Sequence, residues 1–179
     1  MNSRDRVVHA LNHQEPDRVP FDLGGTGLST IHVTAYENLR KHLMLPDQAP
    51  RIGFMAEQLV LVDEDVSERL TTDVRPVLPG LPSGFEYVLR DEGEYEAYTD
   101  EWGIGWRKPR EGGFYYDMYH HPLAGASSLA DLKAFRFPDP LDDGRFSSLR
   151  SQAEAAAEKG KAVALAGPCA GIAEVYSWL

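Results

Sequence analysis

Apolar residues recur every three or four positions in five stretches of the chain, which is the spacing of an amphipathic helix. Residues typical of helix ends flank the first and the last of these stretches, Ser3 as an N-cap and Gly160 as a stop. The pattern predicts helices over residues 3–14, 29–43, 62–70, 128–135 and 146–159.

Short apolar segments bounded by glycine or proline predict strands at residues 19–23, 73–78 and 161–166. Between residues 85 and 119 the apolar positions alternate at period two between glycine-bearing turns, which is typical of an antiparallel meander. Strands that alternate with helices indicate a parallel-sheet α/β fold, either a barrel or an open doubly wound sheet. We interpret residues 83–121 as a meander inserted into that sheet.

The last residues predict an apolar helix that begins near Ile172 and ends on Trp178 and Leu179 without capping residues. We interpret residues 1–179 as the N-terminal portion of one larger domain. Its strand-helix units amount to less than half of a (β/α)8 barrel, which takes ~250 residues. We therefore expect a partial (β/α)8 barrel that does not fold stably alone.

Composition narrows the class of protein. The 179 residues are 42% hydrophobic and 26% charged, which is typical of one globular domain. A formal charge of −10 repels nucleic acid, and the sequence has neither a membrane-spanning apolar run nor a signal peptide, so we expect a cytoplasmic protein. The single Cys169 excludes an internal disulfide and a multi-cysteine zinc site made by this chain alone.

Position in a parallel fold favours residues at the carboxyl ends of strands as functional groups. Asp22, Gly24 and Gly25 follow the first predicted strand, and residues 167–169 follow the last. The Gly-Gly-Thr-Gly segment suits a backbone that approaches a carboxylate or phosphate closely, but an ordinary tight turn explains it as well.

Other polar residues have a functional and a structural interpretation. Asp73 is a general acid or base, or else one half of an ion pair with Arg75 or a helix-exit cap. His32 is a proton shuttle or a capping residue. His120 and His121 are poor candidates for binding one metal ion together, because adjacent strand residues point to opposite faces of a sheet.

Four segments, including the aspartates above, resemble the uroporphyrinogen decarboxylase superfamily. They are residues 3–20 (SRDRVVHALNHQEPDRVP), 22–25 (DLGG), 63–75 (DEDVSERLTTDVR) and 121–132 (HPLAGASSLADL) with the Phe-Pro-Asp-Pro that follows. The resemblance implies a (β/α)8 barrel and one of two chemistries. One is decarboxylation of porphyrinogen side chains without a cofactor, in porphyrin biosynthesis, and the other is methyl transfer to or from a corrinoid carried by a partner protein.

The residues that differ between the two branches favour the methyltransferase. The decarboxylases have an arginine-bearing motif for substrate carboxylates, whereas the corresponding residues 21–31 contain no basic residue. The helix-strand-Gly-Gly opening and the aromatic meander are more similar to the methyltransferases. One decarboxylase feature is kept, because residues 70–74 (LTTDV) resemble the strand motif of its catalytic aspartate.

The resemblance implies a set of site residues. Asp73 takes the catalytic position, and the substrate-binding positions are Asp22, Gly24, Gly25, Ser29, His32 and, with a register uncertainty of about one residue, Tyr176. We expect a small methylated substrate or a thiol, a corrinoid protein as partner, and no nucleic acid or membrane. Zinc stays open, because several of these enzymes bind it through a His-x-Cys and a later Cys in their C-terminal half. A non-catalytic ligand-binding barrel or an inactive remnant is the third interpretation.

Overall fold

The computed structural model describes residues 1–165, and the chain divides into two compact units. The first unit contains residues 1–79 together with the segment from Ser148 to the end of the described chain, and the second contains residues 80–147. The predicted terminal helix, with Tyr176, Trp178 and Leu179, lies outside the described residues, as does Cys169.

The first unit combines four helices with two small sheets. Its elements are α1 (Ser3–Leu11), α2 (Val33–His42), β1 (Arg51–Phe54), β2 (Leu59–Leu61), α3 (Glu64–Arg69), β3 (Val74–Val77), α5 (Leu149–Glu158) and β8 (Ala162–Leu165). β1 and β2 form an antiparallel hairpin, and β3 pairs with β8 in parallel, from Val74 opposite Ala162 to Val77 opposite Leu165. The apolar core consists of Tyr36, Val60 and Val66, so α2, β2 and α3 pack together around one aromatic ring.

The second unit is built on an antiparallel meander. Its elements are β4 (Arg90–Glu92), β5 (Tyr95–Thr99), β6 (Gly105–Pro109), β7 (Asp117–His120), α4 (Leu129–Ala134) and a 3-10 helix (Asp143–Arg145). The four strands pair in chain order. Tyr98 is buried between Trp106 and Tyr116, with ring centroids 6.2 and 4.9 Å away. These aromatic side chains therefore pack against one another in the core of the second unit and do not form an exposed ligand-binding surface.

The expectation of a partial (β/α)8 barrel is wrong for the described residues. They form sheets of two, two and four strands, none of which closes, and their only parallel pairing is β3 with β8. The predicted strand at residues 19–23 is absent as well. The Phe21 carbonyl accepts the backbone N–H of Asp73, but the Phe21 N–H donates to the Asp73 carboxylate and not to a backbone carbonyl. No strand ladder therefore continues alongside β3.

Two further differences arise near α2. The predicted helix from residue 29 begins only at Val33, because residues 31 and 32 pair with β2 and the His32 side chain caps the helix. The β1–β2 hairpin falls in a stretch for which the sequence pattern predicts no strand. In the described part of the chain no helix has the length and apolarity needed to cross a membrane.

Candidate functional site around Asp73

Asp73 is the most deeply buried carboxylate of the predicted site. It follows α3 and directly precedes β3, and its exposed fraction is 0%. Its Oδ1 accepts hydrogen bonds from Arg6 at 2.6 Å and from Arg18 at 3.0 Å. Its Oδ2 accepts the Phe21 N–H at 2.8 Å and lies 2.8 Å from the other guanidinium nitrogen of Arg18. Both carboxylate oxygens are therefore engaged inside the protein.

The charges around Asp73 keep it ionised. Burial raises the pKa of Asp73, but the hydrogen bonds that its carboxylate accepts outweigh burial, so the pKa lies below its ordinary value of 3.8. Arg6 also forms a fork with Asp17, with N···O distances of 2.6 and 2.8 Å. That contact lowers the pKa of Asp17 to about 2 and raises the pKa of Arg6. Two arginines and two aspartates thus form an ion-pair cluster, which the Met1 amino group joins at 3.7 Å from Asp17.

Sequence reasoning placed the wrong arginine beside Asp73. Arg75, two residues away, instead pairs with Glu64 on α3 at 3.0 Å and donates to the Thr72 hydroxyl at 2.8 Å. The arginines that hold Asp73 come from residues 6 and 18, more than 50 positions earlier. The available signal was that both lie in residues 3–20, one of the segments singled out from the sequence together with residues 63–75, which contain Asp73.

The predicted substrate-binding residues from Asp22 to Ser29 form a turn that satisfies many of its own polar groups. The Asp22 carboxylate accepts the Gly25 N–H at 2.9 Å, and the Gly24 N–H donates to the Ser29 carbonyl at 2.9 Å. The Ser29 hydroxyl accepts the Thr26 N–H at 3.0 Å. The turn therefore uses these amides for its own geometry, as the tight-turn interpretation predicts.

The two glycines of this turn are required by packing against the protein. Gly24 has φ +89°, and a Cβ there would lie 2.6 Å from Val62 Cγ2. A Cβ on Gly25 would lie 2.6 Å from the Asp22 carboxylate and 2.8 Å from Val74 Cγ1. Gly24 thus allows the turn to lie against Val62, and Gly25 allows it to lie against Val74 at the start of β3.

His32 lies at the N-terminus of α2. Its Nδ1 accepts the Thr34 N–H at 3.2 Å, and the side chain is half-buried. This is the capping geometry that the structural interpretation of His32 predicts. Asp22 is also half-buried, and it directly follows Phe21, whose N–H donates to the Asp73 carboxylate. The structure therefore links Asp73 to the turn through the backbone of Phe21.

A second buried polar cluster surrounds Asp63, which sequence reasoning did not single out. The Tyr36 hydroxyl donates to Asp63 Oδ2 at 2.8 Å and accepts the Asp63 N–H at 2.8 Å. Arg40 and Arg51 pair with the same carboxylate at 3.3 and 3.1 Å. Burial raises the pKa of Tyr36. The cluster ties α2 to the start of α3 beneath the apolar core and is structural.

Two shallow pockets among the described residues are lined by no predicted site residue. One, of about 260 Å³, lies at the end of α2 beside residues 45–48, and the other, of about 350 Å³, lies beside α4. Within residues 1–165 no group of three or more His, Cys, Asp or Glu side chains could hold a metal ion.

Comparison of the chain with known protein families, with curated proteins and with solved structures found no match. The assignment of a function therefore depends on the residues and their geometry.

Proposed function

We propose that the protein is a cytoplasmic, corrinoid-dependent methyltransferase of the uroporphyrinogen decarboxylase type, which transfers a methyl group between a small methylated substrate or thiol and a corrinoid protein. The proposal starts from the four sequence motifs. Two of them, residues 3–20 and 63–75, are joined in the structure by the ion pairs of Arg6 and Arg18 with Asp73. These two motifs are thus parts of one structural unit.

The state of the Asp73 carboxylate is the observation that supports methyl transfer over decarboxylation. In a decarboxylase this aspartate would have to accept hydrogen bonds from the pyrrole N–H groups of the substrate. Here both oxygens already accept hydrogen bonds, and the side chain is inaccessible to solvent. A substrate would have to displace a guanidinium group from a buried carboxylate, which is strongly unfavourable.

Charge supports the same branch. A porphyrinogen with several carboxylates needs cationic partners that are not already neutralised. Arg6 and Arg18 are paired with Asp17 and Asp73, and residues 21–31 contain no lysine or arginine. A small substrate without multiple negative charges does not need such groups.

Neither of the two pockets described above is large enough for the corrinoid itself. Drug-sized ligands already occupy cavities of ~300–1,000 Å³, and the macrocycle is larger, while the two pockets measure about 260 and 350 Å³. Zinc likewise finds no set of three ligands among residues 1–165. We therefore derive no step through either group, and the corrinoid belongs to the partner protein in this proposal.

Asp73 acts in this proposal as a positioning residue. It fixes the backbone at Phe21, and the next residue, Asp22, anchors the turn that ends at Ser29. The half-buried side chains of Asp22, Ser29 and His32 then bind and orient the small substrate. Tyr176, which the resemblance adds to this group, lies outside the described residues.

The test uses the full-length protein with two substrates in parallel. Methyl transfer is followed by the cobalt absorption spectrum of a methylated corrinoid with a thiol acceptor, or of a reduced corrinoid protein with a methyl donor. Decarboxylation is followed by conversion of uroporphyrinogen to coproporphyrinogen. We expect a change in the cobalt spectrum and no coproporphyrinogen. Coproporphyrinogen without a cobalt change would establish the decarboxylase, and neither product would favour the non-catalytic alternative.

Variants separate substrate binding from loss of fold. His32→Gln keeps a polar side chain at the N-cap and should raise KM for the small substrate more than it lowers kcat. Arg110→Gln, an exposed residue of the second unit, is the matched control and should leave both constants unchanged. Equal effects of the two substitutions would contradict the assignment of His32.

A further inference from the structure

Helix α1 is attached to the first unit in an unusual way. The only buried residue of its nine is an arginine, Arg6. Of its apolar residues, Val7 is half-buried, whereas Val8 and Leu11 are 46% and 75% exposed. A surface helix normally docks by burying an apolar stripe. The contacts that hold α1 in place are therefore mainly polar.

These polar contacts converge on a small area around Asp73. Arg6 reaches the Asp73 carboxylate at 2.6 Å, and Ser3 lies near the same group, where its hydroxyl lowers the pKa of Asp73. The Arg4 N–H donates to the Gly160 carbonyl at 3.0 Å, and Lys161 Nζ lies 3.5 Å from the Ser3 hydroxyl. The N-terminal half of α1 thus covers Asp73.

The segment after α1 is exposed and hydrogen-bonds back to α1 through the N–H groups of residues 12–14, so a hinge for α1 lies after residue 14. Residues 12–15 are all exposed, and His13 has φ 56°, in the left-handed region. Beyond this segment the chain is held again, because Arg18 contacts both Asp73 and the Thr71 carbonyl. If α1 moves away, Arg18 and the Phe21 N–H keep Asp73 partly neutralised. Opening therefore breaks one ion pair of Asp73 and not all of them.

We propose that α1 is a lid over Asp73 that opens as a separate unit, with the ion pairs of Arg6 to Asp73 and to Asp17 as its fastening. Local opening of this kind is expected where few apolar contacts hold an element. Opening removes the Arg6 contact, while Arg18 and the Phe21 N–H still occupy both oxygens of Asp73 and the core around Tyr36 stays folded. The lid is a property of the fold and does not depend on which reaction the protein performs.

Amide hydrogen exchange followed by mass spectrometry tests the lid in the wild-type chain. The comparison is between a peptide from α1 and a peptide from α2, whose Tyr36 is 0% exposed. We expect the α1 amides to exchange at least about tenfold faster than the interior amides of α2 under native conditions. Equal protection of α1 and α2 would show that α1 opens only when the whole unit unfolds and would overturn the proposal.

Two buried arginines provide a matched pair of variants. Arg6→Met keeps the aliphatic stem and removes the charge, and it should speed exchange of α1 by about tenfold or more while leaving α2 unchanged. Arg40→Met changes another buried arginine, in α2, and should speed exchange of α2 only. No acceleration of α1 in Arg6→Met, or the same acceleration in both helices, would contradict the role of Arg6. The wild-type comparison decides the question if either variant fails to fold.

Discussion

Replacing Asp73 by asparagine should destabilise the first unit strongly. The substitution keeps the shape of the side chain but removes its charge. Asparagine has one acceptor oxygen, so in either orientation of its amide the NH2 group faces donors that Asp73 now satisfies. These donors are Arg6 and Arg18 on one side, and Arg18 and the Phe21 N–H on the other. The variant thus leaves buried donors and a buried guanidinium without their partner.

The magnitude follows from burial. Removing one partner of a buried ion pair lowers the free energy of unfolding by about 3–5 kcal/mol. Asp73 is 0% exposed, so we expect its loss to fall in this range. A typical domain has a free energy of unfolding of only ~5–15 kcal/mol. The variant should therefore lose a large share of its stability.

Urea denaturation at pH 7, followed by far-ultraviolet circular dichroism, measures this loss. The matched control is Asp17→Asn, which removes a carboxylate from the same cluster whose side chain is 44% exposed, and its effect should be much smaller. The urea slope should stay unchanged in both variants. A loss of less than about 1 kcal/mol for Asp73→Asn, the range of an exposed pair, would refute the reasoning.

Three further predictions follow from the contacts. Gly25→Ala places a methyl group 2.6 Å from a carboxylate oxygen and should lower the free energy of unfolding by about 1–3 kcal/mol, whereas Gly125→Ala, with nothing within 4 Å, should be neutral in the same urea assay. Tyr36→Phe removes the hydroxyl that bonds Asp63 twice and should lower the free energy of unfolding by about 1–3 kcal/mol; an unchanged urea midpoint would contradict this. Folding lowers the pKa of Asp73, so the contribution of Asp73 to the free energy of unfolding is fully present above its ordinary value of 3.8. This contribution is lost as the pH falls through the lower pKa of the folded state. In an acid titration the free energy of unfolding should therefore not change near neutral pH and should decrease below about pH 4. A decrease centred at neutral pH would point to histidine instead.

Local sequence signals predicted many of the elements. The capping box of Ser128 and Asp131 begins α4 beside the predicted position, and Gly160, with φ 64°, ends the last described helix. β3 and β8 lie within the predicted strands at residues 73–78 and 161–166. In these cases the residues that begin or end an element lie within it or next to it in the sequence, so the local pattern is sufficient to predict the element.

Contacts between distant residues explain the elements that were missed. The predicted strand at residues 19–23 has suitable residues, but its Phe21 N–H bonds to the Asp73 side chain more than 50 positions later. The expected barrel failed for a related reason, because apolar periodicity does not state which strands pair. Asp73 lies in one motif, whereas Arg6 and Arg18, which contact its carboxylate, lie in another. No local pattern joins these two segments.

The pKa of Asp73 is the measurement that tests most directly whether this residue positions the site or reacts with a substrate. Carboxyl carbon chemical shifts in a nuclear magnetic resonance titration of the labelled protein report it. We predict a pKa below the ordinary 3.8, unchanged when uroporphyrinogen is added, because Arg6 and Arg18 hold the carboxylate in both cases. A pKa at or above 3.8 that moves when uroporphyrinogen binds would contradict the account and restore Asp73 as the catalytic group of a decarboxylase.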